Sequence, residues 1–206
     1  MITIPSYLIH LRTDRRGVPV PFVNLWGVED TAHLTVRYDH HVQDRAVFLD
    51  DADQDVPDFT RQNMQRQREA MASGLCQVCG RPVPWSRRHL VIADMTVERV
   101  ELYGRMVPVI HEPWLDKRCA TFALRHCPAL IRRTRDEALT LVPVTSRRQV
   151  RLVVSHGWVD GHLEAETRAR PVAMWVKALL LDPAISIEAQ SVPAERLPDA
   201  SGGWAR

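Results

Sequence analysis

Cys76 and Cys79 stand two residues apart in a turn that ends in Gly80, and a third cysteine, Cys119, follows about forty residues later at the start of an expected helix. Thiolates at CxxC spacing can take two corners of a metal tetrahedron, and the mouth of a helix can supply the others. Zinc needs sulfur or nitrogen donors about 2.0–2.3 Å from the ion, so its ligands nearly touch. The turn meets that demand for Cys76 and Cys79, with Gly80 giving the backbone freedom to close it. Cys119 is the natural third ligand.

The fourth ligand stays open. Asp116 lies three residues before Cys119, on the same expected helical turn. Cys127 is an alternative only if the helix breaks, because eight helical residues separate it from Cys119 by about 12 Å along the axis. His111 and His126 are the remaining side-chain candidates, with water or no fourth ligand as the last alternative. A redox role for the CxxC is disfavoured, since that chemistry wants the motif at a helix start within a βαβ pattern. Here it follows an expected helix and precedes strands.

Other constellations point to less. Asp51, Asp53 and Asp55 have the first offsets of a calcium loop, but Val56 and Gln62 stand where glycine and a bidentate glutamate are needed. His40 and His41 read as exposed strand-end histidines, and His156-Gly-Trp158 as a packed turn. A His-Asn-His nuclease would need an Asp-His pair after the knuckle; neither His89 nor His111 follows an aspartate. No phosphate loop, dinucleotide fingerprint or nucleophile elbow is present.

The elements that position the cysteines are expected as follows. Residues 2–11 read as an edge strand, Val18 to Leu25 as a second and Leu34 to Tyr38 as a third, before an acidic loop from Asp50 to Pro57. A helix over residues 59–73 has Asp58 as its N-cap and Gly74 as its stop. Strands over 89–93, 96–102 and 105–110 follow, with Gly104 turning a hairpin. The sequence then predicts a helix from Pro113 to Cys127, ended by Pro128, and strands over Leu139 to Val144 and Val150 to Val154. Residues 172–181 are apolar enough for the core, but their period does not separate helix from strand. The expectation is an α+β fold: a β-rich part over 1–57, a zinc-knuckle, treble-clef-like hairpin packed on a helix within 58–135, a β-rich part over 136–192 and a loose tail over 193–206.

In bulk the chain is that of a globular protein, with 206 residues, 45% hydrophobic and 25% charged. It has no apolar run near the ~18 residues that span a bilayer and no signal-peptide pattern, so a cytoplasmic location in a reducing interior is expected. Net charge is +2 and the only lysines are Lys117 and Lys177. Arginine forks phosphate and carboxylate bidentately, and Arg132, Arg133 and Arg135 form a basic cluster that nucleic acid could contact.

Arg16-Gly-Val-Pro-Val-Pro21, Pro57-Asp58-Phe59, Leu75-Cys-Gln-Val-Cys-Gly80, Val91-Ile-Ala-Asp-Met95, Glu112-Pro113, Cys119-Ala120 and Cys127-Pro-Ala-Leu130 occur in that order. With them, residues 14–135 resemble a family of uncharacterised proteins found widely in actinobacterial phages, prophages and related genomes. Members usually carry histidine where Asp116 stands, which implies that this position holds the fourth ligand. The resemblance implies a zinc-stapled fold and no established activity. The expected function is a non-catalytic binding or regulatory protein of a phage or mobile element, engaging a host protein or nucleic acid. A metal-dependent hydrolase or nuclease, and a virion or assembly component, are the alternatives.

Overall fold

The computed structural model describes residues 3–26, 34–49, 56–93, 98–127, 130–131, 139–158 and 171–181. In chain order its elements are β1 (Asn24–Trp26), β2 (Leu34–Asp39), β3 (Asp44–Leu49), β4 (Pro57–Gln62), α1 (Met64–Ser73), β5 (Arg88–Ala93), β6 (Glu98–Leu102) and β7 (Arg105–Ile110). There follow β8 (Leu115–Asp116), α2 (Lys117–His126), β9 (Leu139–Pro143), β10 (Val150–Gly157) and β11 (Val172–Leu180). The fold is β-rich α+β, as the residue pattern predicts.

Among the described residues, three sheets organise it. The largest has six strands, with β11 at its centre. β10 runs antiparallel along the whole length of β11, from Val150↔Leu180 to Gly157↔Val172. Elsewhere β11 meets β3 in parallel at Ala173↔Ala46 and β7 antiparallel at Ala178↔Ile110. The strand is central in its sheet, and its apolar residues over 172–176 and 178–180, interrupted by Lys177, lack the strict alternation of a strand with one solvated face. A smaller sheet, in the order β8-β5-β9, carries the cysteine region, and β1 pairs with β4.

Helix α1 packs on the large sheet through two buried polar side chains. Gln67 copies a strand: its Nε2 donates to the Val176 and His111 carbonyls and its Oε1 accepts from the Val176 N–H. Arg68 is fully buried, with Nε donating to Asp39 at 2.6 Å and its other nitrogens donating to the Val47 and Met174 carbonyls. A buried charge is tolerable only with such complete pairing. Trp114, also fully buried, donates from its indole to the Met71 carbonyl at 2.9 Å, serving one of the carbonyls that the end of α1 leaves without a helical partner.

Several expectations are corrected. The N-terminal strand is absent: Ser6–Leu8 form a 3-10 turn, closed by the Leu8 N–H on the Pro5 carbonyl. Of the strand over Val18 to Leu25, a single bridge at Thr13↔Pro19 and the short β1 remain. The first helix begins later, at Met64, capped by Asn63, whose side chain accepts from the Arg66 N–H. Residues 57–62 are β4 instead, because pairing with β1 outweighs their helix propensity; Asp58 accepts from Thr60 rather than capping. Gly74 ends the helix as expected, at φ 69°, beneath the Arg88 guanidinium, with which an added Cβ would collide at 2.0 Å. The second helix starts at Lys117, not Pro113, since Leu115 and Asp116 are drawn into pairing with His89 and Arg88. The aspartates of the calcium-like loop, most of the Trp158–Gly161 turn and the C-terminal tail lie outside the described residues.

Candidate metal centre

The turn after α1 is built by backbone bonds that leave little freedom. Cys76 N–H donates to the Arg81 carbonyl and Gly80 N–H to the Cys76 carbonyl, both at 2.8 Å, and Leu75 bridges to Pro82. Gly80 takes φ 66°, and a Cβ there would come within 2.9 Å of the Phe22 ring, so glycine is required on two counts. Gln77 N–H donates to the Trp114 carbonyl at 2.7 Å, tying the turn to the segment that enters β8 and α2.

That segment delivers the third sulfur. Cys119 is the third residue of α2, on its first turn. The sulfurs of Cys76, Cys79 and Cys119 all lie within 4.8 Å of one another, and all three residues are buried. Tetrahedral sulfurs about 2.3 Å from a common ion sit about 3.8 Å apart, so the three occupy one face of such a site. None is in a disulfide. Around them close Leu8, Val78, Val83, Leu115, Phe122 and Leu141, a dry apolar shell.

The three thiols shift one another's ionisation strongly. Hydrogen bonds from Cys119 and then Cys76 hold the Cys79 thiol far below the ordinary thiol range. Cys119 is driven far up by Cys76 and Cys79 in turn. For Cys76, the Cys119 hydrogen bond pulls downward, but Cys79 and burial outweigh it and the thiol rises. Thiolates this close repel one another, so ionising one blocks ionisation of the next. A dication at their centre removes the block, because it turns mutual repulsion into shared attraction. The Asp116 N–H, 3.5 Å from the Cys76 sulfur, supplies the kind of outer hydrogen bond that steadies a thiolate ligand. The donor set thus fits a metal ion, and soft ions above all.

The structure sorts the expected ligands. It joins Cys76, Cys79 and Cys119; it does not bring Asp116, Cys127 or His111 into the group. The Asp116 carboxylate does not join the group of sulfurs that lie within 4.8 Å of one another. It caps α2 by accepting from the Arg118 N–H at 3.0 Å and pairs with the guanidinia of Arg87 and Arg118. Cys127 ends α2 in an extended conformation, as a residue before proline must, and is a buried apolar side chain. His111 leaves β7 and pairs with Glu98 at 2.8 Å, which lowers the Glu98 pKa. His126 packs on Phe122. Arg132, Arg133 and Arg135 lie outside the described residues.

Two neighbours of the cluster were not legible. Tyr7 donates to the Arg118 carbonyl at 3.2 Å, and burial, followed by the nearby Cys119, pushes its hydroxyl up to about 12. One nitrogen of His10 lies 2.8 Å from the Cys79 carbonyl. Both sit in the segment expected as an edge strand, where alternation would have dispersed them; the 3-10 turn folds them onto the knuckle. Comparison with family models, with curated proteins and with solved structures finds no match to this chain.

Proposed function

We propose that the chain is a non-catalytic, zinc-stapled binding protein of phage or mobile-element origin, and that its partner is nucleic acid. Zinc is the ion of choice for three thiolates, since it is redox-inert and abundant and accepts sulfur ligands tetrahedrally. The ion's role is to fasten the knuckle to α2 and so fix the surface around it. The origin rests on the family resemblance of residues 14–135.

One observation carries the partner: charge is segregated toward the cysteine region. Residues 74–93 contain three arginines and no acid, residues 113–131 contain Lys117 and two arginines against Asp116 alone, and residues 139–149 contain two more arginines and no acid. With a whole-chain charge of +2, that excess is balanced by acid elsewhere. Arg88 lies 3.9 Å and Arg147 5.9 Å from the Trp85 ring, and Arg87, Arg147 and Arg148 are exposed. Burial and then the nearby Arg147 charge lower the Arg88 pKa, so two like charges crowd here. Phosphates would relieve that crowding, and an aromatic ring among arginines suits unpaired bases.

Anisotropy titrations of labelled single-stranded DNA, duplex DNA and RNA across a salt series test this. Binding that falls steeply with salt, and a shallower salt slope in Arg147→Ala/Arg148→Ala, are expected. Absence of binding at low salt contradicts it, and a partner captured without salt dependence points to protein instead. A second reading, a metal-dependent hydrolase, draws on the ligand count, because three protein ligands leave a fourth corner for water. Cleavage of DNA or RNA that depends on added divalent metal would favour it.

A further inference from the structure

The hairpin joining β2 to β3 turns through His40, His41, Val42 and Gln43. Sequence spacing offers these histidines no partner; the fold supplies one in Asp39, the residue before them. One ligand atom from each of Asp39, His40 and His41 lies within 4.8 Å of the other two.

Three observations separate this cluster from an ordinary polar turn. First, the carboxylate is fixed. Asp39 is 2% exposed, one oxygen accepts from the buried Arg68 Nε at 2.6 Å and the other accepts from the His41 N–H at 2.9 Å. Arg68 is itself anchored to the Val47 and Met174 carbonyls, so the carboxylate cannot turn away, yet each oxygen keeps a lone pair. Second, the His41 ring has an outer partner. Its Nδ1 lies 3.4 Å from the Ser73 hydroxyl, leaving Nε2 as a ligand atom, which is how metal-binding imidazoles are commonly oriented. Third, the two rings lie side by side, with centroids 3.9 Å apart and tilted by 40°, so a small rotation of either ring brings a nitrogen to a shared ion.

We propose that Asp39, His40 and His41 form a second metal site, distinct from the cysteine centre, for a borderline divalent cation such as Zn2+ bound by two imidazole nitrogens and one carboxylate oxygen. Nitrogen–oxygen donors of this kind suit zinc and its neighbours rather than soft ions. Arg68 offsets the charge of Asp39, and His40 is exposed, so the ion binds more weakly than at three buried thiolates and exchanges with solvent. Ser73 closes α1, and Gly74 and Leu75 alone separate it from Cys76. An ion held here fixes the His41 ring, which meets the helix end leading into the knuckle through Ser73.

The full chain carrying zinc on its cysteines is titrated with further Zn2+ by calorimetry, and histidine ring resonances are followed by NMR. A second equivalent with micromolar affinity is expected, with the ring signals of His40 and His41 shifting. His40→Gln/His41→Gln, both outside the buried ion pair, should weaken that step at least about tenfold, while Cys76→Ser leaves it in place. No second equivalent at millimolar free zinc overturns the proposal. So does an unchanged affinity in the double variant, or ring shifts confined to other histidines in the wild type. Because the step is read separately from the cysteine equivalent, its failure does not touch the cysteine centre, and loss of the cysteine equivalent does not touch it.

Discussion

Around Cys76, Cys79 and Cys119 three sulfurs sit in an apolar shell and repel one another as soon as they ionise, whereas around Arg68 the large sheet completes its own charge balance from Asp39 and two backbone carbonyls. The first region is a donor set that fits a cation; the second balances its buried charge within the chain. The small β8-β5-β9 sheet has few pairs of its own, with β8 contributing two residues, while β11 alone pairs with three strands. On the proposed zinc reading, stability in the cysteine half is conditional on metal, while in the sheet half it is intrinsic, and the arginine-rich edge then rests on the ion.

Chelation should break the comparison most forcefully. Structural zinc binding is worth on the order of 10 kcal/mol as folding free energy, so hydrogen exchange after metal removal should open the knuckle and the first turn of α2 while β10 and β11 stay protected. Uniform loss of protection would show that the two regions are not separable. Arg68→Ala strikes the other half and should cost about 3–5 kcal/mol in denaturant titration, because it strands Asp39 unpaired. Replacing both partners with apolar residues should cost much less than the sum of the singles.

Smaller effects sharpen the boundary. Trp114→Phe leaves the Met71 carbonyl unserved where the two regions meet and should cost about 1–3 kcal/mol. Asn63→Ala, which removes the cap of α1, should cost about 1 kcal/mol. Weakest is a pH effect at Asp14. Burial alone would raise its carboxyl, but hydrogen bonds from the Val18 N–H and from Arg16 outweigh it and hold the pKa below the usual carboxylate value. A carboxyl depressed in the folded state stabilises above its unfolded pKa, and the gain is lost as pH falls through the folded one. Denaturation midpoints of the wild type and Asp14→Asn should accordingly converge in acid and separate toward neutrality.

The cysteine cluster was legible because CxxCG spacing and a helix-opening cysteine constrain geometry without reference to the rest of the chain. Strands β2, β5, β6 and β7 were legible for a related reason: alternation and the Gly104 turn act locally. What failed depended on distant partners. The competition for residues 57–62 was decided by β1, and that for 115–116 by β5, neither visible in the segments themselves. The fourth-ligand reading of Asp116 yielded to Arg87, which lies 29 residues away in the chain. Arg68 falls inside the expected helix over 59–73, and nothing near it in the sequence announces Asp39, His40 and His41.

Zinc content of the purified chain, measured alongside Cys76→Ser, Cys79→Ser, Cys119→Ser and Cys127→Ser, addresses the metal centre most directly. The account predicts one tightly held zinc in the wild type and in Cys127→Ser, retained through dialysis, and loss of that ion in each of the other three. A wild type that holds no metal, or a Cys127→Ser variant that loses it as readily as Cys119→Ser, would contradict it.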